Sequence, residues 1–272
     1  MSLESSLNKF AGNRPIAIGA REKRDLHALF SEMSVPCKRK PNQTLVDLVE
    51  DTRHVCLLVS GWAFSFRMFD NGQRQIVNIH LPGDVIGLSS LVDASDEGGC
   101  LALTDASFLL STRDQLMRRA NCRPDIAFCL ISEALRSEIL LRERLSDVAR
   151  RPATQRIANF LFELFCRSRG SLALADRIAA RTSIPLTQDQ IADAIGLTPI
   201  HVSRTLKKFK SMGVIEYVGH DLRIVDSNLL HGMTTFSSAY IQWLQNPAIT
   251  FRPTPPSSLP ARHQQQPKHA KP

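Results

Sequence analysis

The stretch TQDQIADAIGLTPIHVSRTLKKFKSMGVIEYVGHDLRIV, residues 187–225, decides the fold of this 272-residue chain. Thr187 is a favourable N-cap, because its hydroxyl can accept a hydrogen bond from an amide in the first helical turn. Apolar residues then recur at helical spacing as far as Gly196, which can adopt the positive φ that commonly ends a helix. The pattern predicts a short helix between these two residues.

A second helix is predicted directly after this glycine, with Thr198 as its N-cap and Pro199 at its first position. Two short helices joined by a tight turn that contains glycine are typical of a helix-turn-helix. Apolar segments at residues 214–218 and 222–225 flank Gly219-His220-Asp221, which predicts a small β-hairpin, or wing. Together these features predict a winged helix-turn-helix.

Charge indicates which helix meets DNA, because residues 198–211 contain four basic residues and no carboxylate. Val202, Leu206 and Phe209 recur at spacings of four and three, so they predict the buried face. A solvated basic surface helix is the plainer interpretation, but the caps, the turn glycine and the wing together favour DNA binding. The expected DNA-contacting residues are Thr187, Gln188, Thr198, His201, Ser203, Arg204, Lys207 and Lys208.

Composition supports a folded chain with an anionic partner. The hydrophobic content is 43%, the net charge is +8 and the isoelectric point is about 9.5, so double-stranded DNA is the simplest partner. The six cysteines never approach a C-x-x-C spacing, which argues against a zinc ribbon or a disulfide framework. We therefore expect no metal and no cofactor. No secretion signal or membrane-spanning segment is evident, which predicts a cytoplasmic protein without membrane contact.

The organisation of the chain predicts an α+β fold. Short apolar segments alternate with turn residues such as Asn71-Gly72 and Pro82-Gly83, which favours an antiparallel β-roll of the jelly-roll type. The C-terminal residues are rich in proline and lack carboxylates, so we expect nothing there to pack. The predicted segments are a flexible N-terminus (1–21), a sensory β-roll (22–120), a dimerisation helix (121–150), the winged helix-turn-helix domain (151–244) and a disordered basic tail (245–272).

A long helix is predicted from Pro124 for about 25 residues, until Arg150-Arg151-Pro152 interrupts the pattern. Two interpretations remain open: an internal core helix and a parallel dimer helix. The dimer helix is favoured because a DNA-binding protein with a two-fold axis needs one. The heptad seam consists of Ala127, Ile131, Ala134, Leu141, Leu145 and Val148. Glu138 occupies a position of the same pattern and is its one charged residue.

Several segments, taken in this order, resemble the Crp/Fnr-type transcription regulators. They are Ser60–Ala63, Asn71–Ile76, Leu81–Leu88, Arg151–Ala158 and Leu186–Leu206. The resemblance spans roughly residues 22–244 and is most specific in the helix-turn-helix. It implies a homodimer that binds a palindromic promoter site and contacts RNA polymerase.

The resemblance also assigns residue roles. In that family an arginine in the recognition helix reads guanine, and Arg204 matches it, because its planar fork fits O6 and N7 of guanine. Ser203 matches the serine that precedes this arginine in the oxygen- and redox-responsive branch. Where the family usually carries a glutamate, this chain has Ile200, so we expect the neighbouring base to be read differently, with His201 as a candidate. Thr187 and Gln188 are expected to contact phosphates.

The sensory half departs from the cyclic-nucleotide members of the family, which use an Arg-Ser pair to neutralise the phosphate. Residues 75–112 contain no Lys or Arg but five carboxylates, so burying a phosphate there would be costly. We expect no cyclic-AMP binding at that position, and no iron-sulfur cluster, because no cysteine precedes Cys37. The sequence does not identify the effector. A thiol switch at Cys122, Cys129 or Cys166 is a further alternative. The expected effector pocket comprises Gly83, Asp84, Gly87, Leu88 and Ser89.

Two other functions, an enzyme and a protein-binding module, agree less well with the sequence than a DNA-binding regulator. An enzyme is not expected, because the chain has no Gly-rich phosphate loop, nucleophile elbow or paired acidic motif. The alternative is an effector-sensing module whose winged helix binds a protein partner rather than DNA. The unopposed basic charge of residues 198–211 favours DNA.

Overall fold

A computed structural model describes residues 16–18, 20–46, 54–92, 98–170, 183–218, 221–245 and 249–251. The chain divides into a main unit, residues 18–248, and a small unit formed by its two ends. In the small unit, β1 (Ile16–Ile18) and β13 (Ile249–Phe251) form a two-stranded sheet.

The strand β13 corrects the prediction that nothing in the C-terminal tail packs. Its sequence, Ile-Thr-Phe, consists of β-branched and aromatic residues, which favour strands even next to proline-rich sequence. The strand β1 likewise falls within the N-terminus that was predicted to be flexible. The other residues of both terminal predictions lie outside the part of the chain that the structure describes.

Antiparallel strands form a β-roll, as predicted. It follows α1 (Ala20–Met33). The strands are β2 (Val35–Arg39), β3 (Thr44–Val46), β4 (His54–Ser60), β5 (Ala63–Met68), β6 (Arg74–His80), β7 (Val85–Ile86), β8 (Gly98–Ala102) and β9 (Ala106–Thr112). They form two four-stranded sheets with the orders β2-β9-β4-β7 and β3-β8-β5-β6.

The β5–β6 hairpin confirms the turn predicted at Asn71-Gly72, although its loop has three residues. The Phe69 amide donates to the Gln73 carbonyl at 2.9 Å and the Gly72 amide to the Phe69 carbonyl at 2.8 Å. Only glycine in this loop has a positive φ, 77°. A type I turn followed by a left-handed residue therefore closes the hairpin, rather than a two-residue primed turn.

Helices connect the roll to the C-terminal half. The first, α2 (Arg113–Cys122), was not predicted, and a capping box between Thr112 and Gln115 starts it. The long helix α3 (Pro124–Arg150) has the predicted bounds. It is followed by α4 (Ala153–Gly170), which is buried on every side from Ile157 to Ser168.

The C-terminal half forms the predicted winged helix-turn-helix and two further helices. Its elements are β10 (Ser183–Ile184), α5 (Gln188–Ile195), α6 (Pro199–Ser211), β11 (Ile215–Val218), β12 (Asp221–Ile224), α7 (Ser227–Gly232) and α8 (Ser238–Gln245). The observed α+β architecture agrees with the predicted fold class.

The long helix α3 packs on its own chain along one face and exposes another. Ile126, Leu130 and Leu140 are buried on the inner face. The predicted heptad seam lies on the outside, where Ile131, Leu141, Leu145 and Val148 are all exposed. The seam is therefore not part of this chain's core, which argues against the interpretation that these residues form an internal core.

A buried cluster of charged residues joins the roll to α3 and α4. Asp84, at the turn between β6 and β7, accepts hydrogen bonds from Arg136 and Arg167, each at 2.8 Å. Arg167 also donates to Glu163 at 2.9 Å. Arg144 reaches Glu163 at 3.3 Å and donates to the Val77 carbonyl of β6 at 3.0 Å. Glu133 of α3 adds a third carboxylate, which pairs with Arg136 at 3.3 Å. All six side chains are largely inaccessible to solvent, so the three arginines and the three carboxylates neutralise one another.

The first helix of the helix-turn-helix, α5, docks against β6 of the roll. Arg74 forms an ion pair with Asp193 at 2.8 Å, and the side-chain Nε2 of Gln75 donates to the Asp193 backbone carbonyl at 2.6 Å. Apolar residues of the roll, including Phe64 and Ile79, belong to the same core cluster as those of the winged helix. The roll and the winged helix are therefore packed together within the main unit.

Removing one member of the buried cluster should destabilise the fold. Arg167→Met leaves three carboxylates (Asp84, Glu133 and Glu163) with two arginines, so we expect a loss of about 3–5 kcal/mol in the free energy of unfolding. Urea denaturation followed by circular dichroism measures this. Lys40→Met, which breaks the exposed pair with Asp105, is the control and should cost less than about 1 kcal/mol. Equal losses in the two variants would contradict this assignment.

His80 should make stability depend on pH. Burial lowers the pKa of His80 from 6.5 to about 4, assisted by Arg167, Arg144 and Arg136 and opposed by Asp84. The unfolded imidazole binds protons first as pH falls, so stability is complete above pH 6.5 and declines towards pH 4. Between pH 7.5 and pH 5 this amounts to about 2 kcal/mol.

His80→Gln retains a side chain able to bond Ser65, which lies 2.7 Å from the His80 Nε2 atom. Urea denaturation at several pH values should therefore show a shallower loss of stability in this variant than in the wild type. Other titrating groups are common to both proteins, so the difference isolates His80. Parallel pH profiles would show that His80 does not cause the dependence.

Candidate nucleic-acid interface

Helix α5 starts and ends as its sequence predicts. The Thr187 hydroxyl accepts from the Gln190 amide at 3.2 Å, and the Gln190 side chain accepts from the Thr187 amide at 2.9 Å, which completes a capping box. Gly196 ends the helix with φ 65°. Ile191 and Ile195 are buried, so the helix is fixed by its inner face and its N-terminus stays at the surface.

Helix α6 presents a basic face to solvent. Thr198 caps it and accepts from the His201 amide at 3.4 Å, with Pro199 at the first position. Val202, Leu206 and Phe209 are almost completely buried, as predicted. The opposite side is exposed and contains Ile200, His201, Arg204, Lys207, Lys208 and Lys210, whereas Ser203 is half-buried. Burial of one face thus fixes the direction in which the basic side chains point.

The wing is a three-stranded sheet rather than a simple hairpin. β11 and β12 pair antiparallel with Ile215 opposite Ile224, and β10 adds a third strand with Ser183 opposite Arg223. The strand bounds differ slightly from the prediction: Val214 precedes β11, Val225 follows β12, and Asp221 begins β12 rather than belonging to the turn. The other two turn residues, Gly219 and His220, lie outside the described residues.

The predicted phosphate contacts lie at helix N-termini. Thr187 is exposed and Gln188 half-buried at the start of α5. Thr198, which was predicted to contact DNA without a specified role, is exposed at the start of α6. Backbone amides in these first turns carry the positive end of the helix dipole, which favours a phosphate. The charge of α6 is uniformly positive, since it contains no Asp or Glu. The arrangement can therefore attract and bind a polyanion along one face.

The residues predicted to form an effector pocket have structural roles at turns. Gly83 has φ 90° and donates to the Leu58 carbonyl at 2.7 Å. A side chain at Gly87 would come within 2.6 Å of the His54 carbonyl oxygen, so only glycine fits there. Leu88 packs against an apolar cluster that includes Leu29 and Leu57 of α1 and β4, and Ser89 lies next to it in a 3-10 helix, Leu88–Leu91.

Asp84 points away from such a pocket into the buried charged cluster. It borders a cavity of about 10 Å³ that is also lined by His80 and Arg136, and this is the space of a single water molecule. Its carboxylate is already held by two arginines. An effector pocket at these five positions stays a prediction. Three of the five carboxylates between residues 75 and 112 (Asp93, Asp96 and Glu97) lie outside the described residues.

The three cysteines considered for a thiol switch differ in accessibility. Cys122 is exposed at the end of α2, whereas Cys129 and Cys166 are buried. Burial raises the pKa of Cys166 to about 12, with a further contribution from Glu163, so this thiol stays protonated and unreactive. Among the described residues, no group of three or more His, Cys, Asp or Glu is placed to bind a metal ion. No described helix has the length and apolar character needed to cross a membrane.

The buried charged residues were missed by the sequence interpretation. Arg136 and Arg144 flank Leu140 at spacings of four, so all three fall on one helical face. Arg167 follows Glu163 by four residues on α4 and pairs with it. The available indication was a basic residue placed within an otherwise apolar helical face. Charged residues are usually exposed, so this indication alone does not predict burial.

Two models of known domains match this chain. Residues 155–233 match the Crp-like helix-turn-helix domain, and residues 37–120 match the cyclic nucleotide-binding domain. The first match contains α5, α6 and the wing, and the second contains most of the β-roll. The two domains occur in the order that the sequence analysis expected.

Relatives with assigned names are similar over most of the chain. The transcriptional activatory protein AadR of Rhodopseudomonas palustris is 28% identical over 204 residues, which is 74% of this chain and 81% of that protein. The nitrogen fixation regulation protein FixK of Rhizobium meliloti is 28% identical over 177 residues, 65% of this chain and 75% of that protein. The structure of FixK2 from Bradyrhizobium japonicum has the same fold, with a TM-score of 0.65 and 24% identity, covering 76% of this chain and 100% of that one.

Proposed function

Because the chain belongs to the Crp/Fnr family of DNA-binding transcription regulators, we propose that it binds a palindromic promoter site as a homodimer and that Arg204 of each protomer reads a guanine. This family consists of regulators rather than enzymes. Its named relatives include transcriptional activators, so activation is the expected direction of control. The proposal also includes contact with RNA polymerase and a cytoplasmic location, where a bacterial promoter is accessible.

The observation that best supports this proposal is the exposed basic face of α6. The helix is capped at its start, packed along Val202, Leu206 and Phe209, and free of carboxylates. A helix of this kind fits the major groove, which is wide enough for a helix with its side chains. The rigid inner face holds the outer side chains in a fixed register relative to the bases.

Different roles follow from the chemistry of the basic side chains. The guanidinium of Arg204 is a planar fork that can donate two parallel hydrogen bonds to O6 and N7 of guanine. Lys207 and Lys208 are flexible point charges and suit phosphates. Thr187, Gln188 and Thr198 are proposed to contact phosphates at the two helix N-termini, and His201 and Ser203 complete the proposed interface.

The exposed seam of α3 supports the homodimer. Ile131, Leu141, Leu145 and Val148 form a stripe on one side of a 27-residue helix, and Leu145 is 70% exposed. The one charged seam position, Glu138, forms an ion pair with Arg142 at 2.6 Å. Pairing of two such helices would bury the stripe. It would also place two recognition helices on successive major grooves, about 34 Å apart.

A winged helix that binds a protein partner is the remaining alternative. It would retain the fold and the basic helix, but its binding would depend little on phosphate charge. DNA binding should weaken with salt, with a log-log slope of about −0.9 per phosphate contact. A gel-shift titration over a salt series distinguishes the two, because a flat response would favour the protein-binding alternative.

Substitutions on α6 should separate base recognition from phosphate binding. Arg204→Ala should reduce affinity for the selected site by about 1–3 kcal/mol and relax sequence preference. Lys207→Ala and Lys208→Ala should weaken binding to all sequences alike and each lower the salt slope by about one. Fluorescence anisotropy with specific and scrambled duplexes measures both quantities.

Arg204→Lys is the matched control, because it keeps the positive charge but loses the planar fork. We expect it to lose sequence preference as the alanine variant does, while keeping most of the affinity for scrambled DNA. If all three alanine variants lose the same affinity on every duplex, the division of roles is wrong.

A charge placed on the α3 seam should separate the protomers. Leu145→Glu is expected to give a monomer and to lower the affinity for a two-half-site duplex by roughly tenfold or more, since two linked contacts become one. Analytical ultracentrifugation and anisotropy measure the two effects. Ser146→Glu adds the same charge at an exposed position outside the stripe and should leave the dimer intact. A Leu145→Glu protein that stays dimeric would contradict the proposed interface.

A further inference from the structure

An exposed apolar side chain stands on the DNA-facing side of α6. Ile200 is 65% exposed, more than any other residue of large apolar character described on this helix. The core beneath α6 is already filled by Val202, Leu206 and Phe209. Ile200 is therefore not part of the core, and its side chain is available for a contact outside the protein.

The position of Ile200 places it over the base edges if α6 enters the major groove. Residues four apart lie on the same helical face, so Ile200 and Arg204 are neighbours on one surface. The rise of the helix separates them by about 6 Å along its axis, which corresponds to about two base-pair steps of 3.4 Å. In a helix-turn-helix the N-terminal residues of the recognition helix are the ones that contact base edges.

The adjacent polar residue is partly engaged within the protein. The Nδ1 atom of His201 lies 3.1 Å from the Thr198 hydroxyl, and the His201 amide donates to the same oxygen. This contact draws one edge of the imidazole towards the cap of α6. No comparable contact can hold Ile200, whose side chain has no hydrogen-bonding group.

The chemistry of Ile200 selects among the four bases. A side chain without donors or acceptors leaves a polar base edge unpaired, and an unpaired polar group removed from water costs free energy. The 5-methyl group of thymine is the one apolar group in the major groove. We propose that Ile200 recognises a thymine through this methyl group, within about two base pairs of the guanine read by Arg204. This inference rests on the proposed function, since it requires α6 to lie in the groove.

Replacing thymine by deoxyuridine tests the inference, because it removes the methyl group and leaves every hydrogen-bonding atom in place. The wild-type protein would first select its site from a random pool of duplexes. Each thymine of one half-site would then be replaced in turn and affinity measured by fluorescence anisotropy. We expect one replacement to weaken binding about fourfold, the equivalent of about 0.8 kcal/mol for one buried carbon.

The same replacement should have no effect on Ile200→Ala, which has already lost the contact. Leu229→Ala, which removes an exposed apolar side chain of α7 away from the recognition helix, is the control and should keep the fourfold effect. Ile200→Glu should shift the preference at that base pair from thymine to cytosine, because a carboxylate accepts from the cytosine N4 amino group.

Two outcomes would overturn the inference and leave the proposed function standing. One is a wild-type protein that binds its site tightly but with equal affinity for thymine and deoxyuridine at every position. The other is a methyl effect that persists in Ile200→Ala and disappears in His201→Ala, which would assign the contact to the histidine. If the wild-type protein neither selects nor binds any duplex, the proposed function itself is wrong.

Discussion

Three buried arginines hold three carboxylates, including Glu133 of α3, between the β-roll and the helices behind it, and the relative position of these parts depends on that arrangement. Asp84 comes from the roll, Arg136 and Arg144 from α3, and Glu163 and Arg167 from α4. Buried charges are tolerated only when they are paired with good geometry. A shift of either helix along the roll would break several pairs at once. Residues 75–112 of the roll contain no Lys or Arg, so the helices supply the cations that pair with Asp84.

The docking of α5 on β6 extends this constraint to the DNA-binding surface. Asp193 of α5 meets Arg74 and Gln75 of the roll, whereas the basic face of α6 is exposed. Buried Asn159 adds a third connection, since it donates to Asp147 of α3 at 2.7 Å and accepts from the Thr235 amide at 3.0 Å. The orientation of the recognition helix is therefore set by polar contacts as well as by the apolar core.

Sequence rules that involve neighbouring residues predicted the helices of the candidate interface. They could not predict the long-range contacts that support it. Thr187, Gly196 and Thr198 predicted the helix ends correctly, because caps and turn glycines act through neighbouring residues. Arg136 and Asp193 could not be paired with their partners from the sequence, since those lie 52 and 119 residues away. Helix α2 was missed although Thr112 and Gln115 form a capping box, and β13 was missed because the proline content around it outweighed three strand-forming residues.

The core shared between the roll and the winged helix limits how modular this regulator can be. Phe64, Ile76, Ile79 and Leu81 of the roll pack in one cluster with residues of α4, α5 and α6. A fragment containing only residues 151–245 would leave the apolar surface that meets β6 in water, which favours aggregation. A chimaera that joins this DNA-binding half to another sensor would need to transplant the β6 surface with it. The β-roll and the winged helix-turn-helix therefore constrain each other's sequence, and exchange of these domains between regulators is restricted to proteins that share this surface.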